Sequence, residues 1–255
     1  MNQATNNQAL EELTTNALRF LADTNSFARR ALSGPHVGLD DQQQFLLAHR
    51  WRMLRFSQAI EVTVRANLLD PSGALLRVLI ELGYVIVAIA EDPTKIIDLF
   101  KQGQAEGRKA LEGLKKELAP DERADHLTDA YLDAEIADLG VGSGFVAHNW
   151  AGLAKSKASY VTIYRLVSRH SHAGTAGTID YFEGLDTDSP KLRPNIPAIL
   201  APEYCLVSAS LIFDALTALP LQTMTADRTA ELERMKTMWA ALMESNNKLE
   251  KSDPC

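Results

Sequence analysis

Apolar residues recur along this chain at three- and four-residue intervals, the period of an amphipathic helix, and no segment shows the alternation of a half-buried strand. Leu10, Leu13, Ala17, Leu21 and Ala28 mark a first helix over about residues 5–32, which stops at Ser33-Gly34-Pro35. Asp40 and Asp41 stand three residues before Gln43 and Gln44, a capping-box pattern in which side chains satisfy free backbone N–H groups. A second helix is expected to start there and to run to Leu69 on the stripe Leu46, Met53, Phe56, Ile60, Val64 and Leu68, because nothing breaks it before Asp70-Pro71-Ser72-Gly73. At about 1.5 Å per residue it would span roughly 40 Å.

The third helix, residues 72–90, is apolar almost all round and belongs in the middle of a bundle. Its charged residues are Arg77 and Glu81, four apart with the cation first, the weaker order for supporting a helix locally. A charge in a core is costly unless paired and hydrogen-bonded, so both are expected to meet polar partners on another helix, the best supplied being residues 160–172. A fourth helix follows Asp92-Pro93-Thr94 and runs to about Leu118 with a Lys- and Glu-rich second half. Pro120-Asp121 opens a helical stretch in which Asp125, Asp129 and Asp133 recur at every fourth position beside His126; without a Glu-x-x-His pair they read as a solvated acidic face, and no metal is called for.

Gly140-Val141-Gly142-Ser143-Gly144 matches neither a dinucleotide fingerprint, nor a phosphate-binding loop, nor a nucleophile elbow, and reads as a hinge. Gly174 and Gly177 break the helix after residue 172, and residues 183–202 carry Pro190, Pro194, Pro197 and Pro202 in the longest non-helical connection. Helices over about 202–219 and 226–249 complete the chain. The expected fold is all-α, a multi-helix bundle with a long central antiparallel helix core. It is read as one domain over 1–255: an N-terminal helix and loop to residue 40, a core over 41–180, and the proline-rich loop with the C-terminal helices over 181–255.

Composition narrows the partners. Of 255 residues 46% are hydrophobic and 23% charged, ordinary for a packed domain, and 26 basic against 33 acidic side chains give 26 − 33 = −7, so no global field attracts a polyanion. Contact with RNA would have to be local. One candidate is the basic cluster His49, Arg50, Arg52 and Arg55 around Trp51, read either as a solvated helix face or as a docking site for the phosphate chain of RNA. Cys205 and Cys255 make no metal-ligand spacing and fit a reducing compartment. The N-terminus lacks the basic region and apolar run of a signal peptide, and the apolar run over 75–90 is shorter than the roughly 20 residues that cross a bilayer. The expectation is a cytoplasmic protein without a membrane partner.

The densest chemistry lies in residues 150–174. On a straight helix Arg165, Ser168, Arg169 and His172 share one face, whereas His170 is displaced from Arg165 by about 140° and joins only if the helix unwinds. A histidine near its ordinary pKa can take the proton from a ribose 2'-OH or protonate the leaving oxygen, while a guanidinium neutralises the phosphate that gains charge. Such RNA cleavage needs neither metal nor cofactor. The competing reading places Arg165 and His172 in a buried hydrogen-bonded network with Glu81 and Arg77 that fixes helix register.

An arginine followed by four to six residues and a histidine, near the end of a helix in an all-α bundle, resembles the HEPN superfamily (higher eukaryotes and prokaryotes nucleotide-binding), many of whose members are RNases of toxin and phage-defence systems. Two stretches, Gly73-Ala-Leu-Leu-Arg77-Val-Leu-Ile-Glu81-Leu-Gly-Tyr84 and Trp150 through Tyr160-x3-Tyr164-Arg165-x2-Ser168-x3-His172, resemble a family of bacterial proteins carried as a domain of unknown function, over roughly residues 45–180. The superfamily resemblance implies Arg165 and His172 as catalytic residues, His170 as an alternate, and a homodimer that brings two copies of the motif to one cleft. Arg77, Glu81, Tyr164, Ser168 and Arg169 would support them, with RNA as substrate and an antitoxin or regulatory protein as partner. Leu166 follows Arg165 where active superfamily members place a polar residue. With the acidic net charge, that departure favours a second expectation, a non-catalytic helical binding or regulatory protein.

Overall fold

In the computed structural model the described residues are 3–140, 142, 145–168, 182–183, 191–192, 200–218 and 221–252. They form α1 (Gln3–Leu32), α2 (Asp41–Arg65), α3 (Leu69–Glu91), α4 (Lys95–Glu117), α5 (Asp129–Asp138), α6 (Ala147–Leu153), α7 (Lys157–Ser159), a π-helical turn (Tyr160–Tyr164), α8 (Arg165–Ser168), β1 (Phe182–Glu183), β2 (Lys191–Leu192), α9 (Leu200–Thr217) and α10 (Ala226–Ser252). The fold is an all-α bundle. The short antiparallel ladder, Phe182 opposite Leu192 and Glu183 opposite Lys191, corrects the expectation of a chain without strands but adds no layer.

The predicted start of α2 is present: the Asp40 carboxylate accepts from the Gln43 N–H at 2.8 Å and the Gln43 side chain accepts from the Asp40 N–H at 3.2 Å. Its predicted end is corrected. The helix closes at Arg65, not Leu69, because Asn67 takes a left-handed conformation (φ 57°) and the Leu68 N–H donates to the Thr63 carbonyl at 2.8 Å. Asparagine tolerates that conformation and so ends a helix in the way glycine commonly does. α3 therefore begins at Leu69, earlier than residue 72, with Pro71 in its first turn where the missing N–H costs nothing. The Ser72 hydroxyl bridges the joint, lying 2.7 Å from the Leu68 carbonyl and 2.8 Å from the Thr63 hydroxyl.

α3 runs through the centre, packed against α2, α9, α6 and α8. It buries Leu76, Leu79, Ile80 and Ile86 against Leu46, Met53 and Ile60 of α2, and the core continues through Phe20, Leu21 and Phe27 of α1 and Tyr204, Ile212 and Phe213 of α9. By length and composition α3 and α9 could each cross a bilayer, contrary to the shorter apolar span expected for α3; 61% and 67% of their most apolar windows are buried inside the bundle, which accounts for the apolar surface.

α4 differs in kind. None of its residues is buried, and Ile97 and Phe100 are 58% and 63% exposed. It packs along α5 and meets α3 over a short stretch, tied down by the Trp150 indole N–H to the Gln102 side-chain oxygen at 2.7 Å and by Lys115 to Asp133 at 2.6 Å. The helix expected to open at Pro120-Asp121 is a single 3-10 turn, Pro120–Glu122, and α5 starts at Asp129 behind the Thr128 cap, so Asp125 does not share a helix face with Asp129 and Asp133. Asp129 and Asp133 are exposed and paired with Arg123 and Lys115. Among the described residues no group of three or more carboxylate, histidine or cysteine side chains could hold a metal ion.

Candidate functional site

Arg77 and Glu81 sit one turn apart on the side of α3 that faces the 157–168 segment. Their polar partner is Tyr164, the last residue of the π turn. Its hydroxyl donates to Glu81 Oε1 at 2.6 Å and accepts from Arg77 Nε at 3.2 Å, while Arg77 Nε lies 3.4 Å from Glu81 Oε1. The guanidinium also covers the tyrosine ring, 5.6 Å from its centroid. The sequence directs Arg77 and Glu81 to a partner in residues 160–172, and the structure places Tyr164 there.

The π turn explains why the tyrosine and not the arginine faces inward. A turn with i→i+5 bonds is wider than an α-turn and shifts the residues that follow it around the axis. Tyr164 is buried and Arg165, next in sequence, is exposed. Aromatic neighbours hold the turn: Tyr160 stacks on Tyr164 with centroids 4.9 Å apart, and the Tyr84 hydroxyl meets that of Ser159 at 3.0 Å. Burial, reinforced by the bond to Glu81, pushes the Tyr164 hydroxyl above its ordinary pKa, so it keeps the proton it donates. For Arg77 burial works against the charge, but the bonds to Tyr164 and the Glu81 carboxylate outweigh it and hold the guanidinium above its usual value.

The expectation that Arg165 enters a buried network with Arg77 and Glu81 is corrected. Among the described residues the Arg165 side chain makes no hydrogen bond or ion pair, and its place in that network is filled by Tyr164. Ser168 is half-buried and donates its hydroxyl to the Tyr164 carbonyl at 2.7 Å, which ties it to the helix. Arg169, His170 and His172 lie outside the described residues.

On another side of Glu81 opens a cleft of about 210 Å³, shared by His49 and Arg52 of α2, Glu81 of α3, Gln102 and Glu106 of α4 and Trp150 of α6. His49 stacks on Phe45, centroids 4.0 Å apart, with Nδ1 3.2 Å from the Phe45 carbonyl oxygen. A carbonyl only accepts, so Nδ1 carries the proton and Nε2 the lone pair. Burial first, and then the charge of Arg52, keep the His49 pKa below its ordinary value against the opposing pull of the Phe45 carbonyl, and the ring is neutral at pH 7. Trp150, 2% exposed, orients the Gln102 amide, which donates to Glu106 Oε1 at 2.8 Å.

The basic cluster on α2 divides. Arg52 and Arg55 are exposed, Arg52 lying 5.9 Å over the Phe56 ring, but Arg50 is 2% exposed and donates from Nε to the Ala215 carbonyl at 2.7 Å. Arg50 therefore does not stand on an RNA-docking face. It falls on the buried stripe with Leu46, Met53, Ser57, Ile60 and Val64, where it caps the last turn of α9 and burial draws its pKa down to about 10. Gln102 and Glu106 escaped the sequence reading, and Trp150 was read only with the segment that follows it, because no spacing within one helix joins α2, α4 and α6.

A larger hollow of about 460 Å³ lies between α1 and α10, where Arg30 and Glu231 pair at 2.6 Å. The cleft at Glu81 lies wholly within residues 44–190, which match the model of a protein family described as Family of unknown function (DUF5677). No curated protein and no solved structure matches the chain.

Proposed function

Because the chain belongs to the family of unknown function (DUF5677), whose description assigns no activity, we propose one from the site: a metal-independent endoribonuclease in which Arg165 binds the scissile phosphate and His172 acts as acid or base, with His170 as the alternate. The observation that carries it is the exposed guanidinium of Arg165, which has no side-chain partner among the described residues, beside a tyrosine that bonds both Arg77 and Glu81. An arginine needed for packing would be spent on neighbours, and this one is available to an anion. In the reaction the 2'-oxygen gives up its proton and bonds to phosphorus, the bond to the 5'-oxygen breaks, and that oxygen takes a proton back. Tyr164, Arg77 and Glu81 position the helix and touch no substrate. The reading follows the HEPN-like arrangement of Arg165 and His172 and carries with it a cytoplasmic homodimer of bacterial toxin or phage-defence type, restrained by an antitoxin or regulatory protein.

The test is incubation of the purified chain with structured and unstructured RNA in the presence of a chelator. Fragments ending in 2',3'-cyclic phosphate are expected. Arg165→Ala and His172→Ala should each lower the rate by about 100-fold or more while the melting temperature stays within a few degrees. Absence of cyclic phosphate ends, or their undiminished production by both variants, overturns the reading. It would leave the alternative, a non-catalytic helical binding or regulatory protein, which Leu166 after Arg165 and the net charge of −7 favour.

A further inference from the structure

We propose that the cleft between α2, α3, α4 and α6 is a binding site for a small zwitterion of the α-amino acid type, its ammonium held by Glu106, Glu81 and His49 and its carboxylate by Arg52. The inference stands independently of the ribonuclease reading. It starts from the hydrogen-bonding capacity that the protein leaves unspent there. Glu81 uses Oε1 for Tyr164 and Arg77 and keeps Oε2; Glu106 uses Oε1 for Gln102 and keeps Oε2; His49 uses Nδ1 for Phe45 and keeps the lone pair of Nε2. Those three are acceptors, and an ammonium has three N–H donors to meet them. Among the described residues Arg52 is the one cation lining the cleft, and it has no carboxylate within ion-pair distance.

Charge decides between ligand classes. Arg77 balances Glu81, which leaves Glu106 as an anion and Arg52 as a cation on the walls of one cavity. A simple anion would gain Arg52 but face two carboxylates, and a simple cation would gain the carboxylates but face Arg52. A molecule carrying both signs satisfies both ends. Leu82, Val85 and Leu99 also line the cleft and suit the apolar side chain that projects from the carbon bearing both charges. The volume of about 210 Å³ is room for roughly seven waters at about 30 Å³ each, enough for an aliphatic amino acid and too little for a peptide. The polar walls are also pre-set, since buried Trp150 fixes Gln102 and Gln102 fixes Glu106, so little ordering is left for the ligand to impose.

Calorimetric titration of the full chain with L-leucine, L-methionine and L-phenylalanine tests this, alongside 3-methylbutylamine, which lacks the carboxylate, and 4-methylpentanoate, which lacks the ammonium. At least one amino acid should bind saturably with one site per chain, and the leucine analogues missing a charge should bind at least about tenfold more weakly than leucine. Arg52→Ala and Glu106→Gln, both at exposed positions, should each weaken binding about tenfold with unchanged circular dichroism melting curves. The proposal is overturned if no amino acid binds up to about 10 mM, if an analogue missing a charge binds as tightly as leucine, or if both variants retain the wild-type affinity.

Discussion

α2 and α3 lie side by side and both carry polar groups into a helical core, yet they treat them in opposite ways. On α2 the inward polar residues are sealed: Arg50 is 2% exposed and Ser57 fully buried, and Ser57 donates to Asn25 Oδ1 at 2.6 Å while the Asn25 amide donates to Glu61 at 3.0 Å. On α3 the side chains of Arg77 and Glu81 remain 26% and 37% exposed, and Glu81 keeps an oxygen beyond those used by its neighbours. Buried polar groups whose bonding capacity is exhausted fix how helices register against one another. Groups left partly solvated with capacity in reserve can meet a ligand. Burial separates a structural polar residue from a candidate functional one more sharply here than residue type does, as Arg50 and Arg165 show.

Arg50→Ala tests the sealed side hardest. It leaves a cavity and strips the Ala215 carbonyl of its donor, and should lower the unfolding free energy by about 3 kcal/mol in urea titration. Arg165→Ala should change it by less than about 0.5 kcal/mol. Equal effects from the two arginines would erase the contrast. Asn25→Ala comes next, at about 2 kcal/mol, because it removes the acceptor of a fully buried Ser57 hydroxyl and a donor to Glu61 at once. A loss below about 0.5 kcal/mol would mean that the Asn25–Ser57 bond is not what joins α1 to α2.

The helices were legible because a 3.6-residue apolar period survives every local detail, and the capping box at Asp40 needed only sequence spacing. The end of α2 was not, since the competing signal was the backbone conformation of Asn67, whose φ of 57° has no apolar marker. Arg50 was misplaced for a related reason: polarity argued for the solvated face while its position, four residues after Leu46 and three before Met53, argued for the buried one, and position prevailed because the Ala215 carbonyl is there to receive the guanidinium. α4 shows the opposite case, a helix that packs along α5 and still leaves Ile97 and Phe100 exposed. At the site, Arg77 and Glu81 could be read as needing polar partners, but that Tyr164 rather than Arg165 supplies one depends on the π turn, which residue spacing alone does not announce. The cleft was out of reach because its walls come from segments more than a hundred residues apart at the extremes, His49 and Trp150.

Tyr164→Phe probes the open side more gently. The hydroxyl goes, but Arg77 and Glu81 stay close enough to pair and both can turn to water, so the cost should be about 1 kcal/mol, half that of Asn25→Ala. In combination with Glu81→Gln the two changes should be non-additive, since both act on one hydrogen bond. Strict additivity in urea titrations of the single and double variants would mean that the 2.6 Å contact contributes nothing to stability.

The smallest effect concerns His49, which belongs to α2 by sequence and to the open cleft by position. Burial depresses its pKa in the folded chain, with the Arg52 charge acting in the same direction and the Phe45 carbonyl opposing both. A depressed value means that the unfolded chain binds the proton more readily. The stability tied to the neutral ring is therefore fully present above the unfolded pKa of about 6.5 and is lost as pH falls through the lower folded value. Unfolding free energies measured from about pH 8 to pH 5 should fall more for the wild type than for His49→Gln, which cannot titrate. Parallel curves would move His49 away from the sealed residues of its own helix and place it, energetically, with the solvated pair on α3.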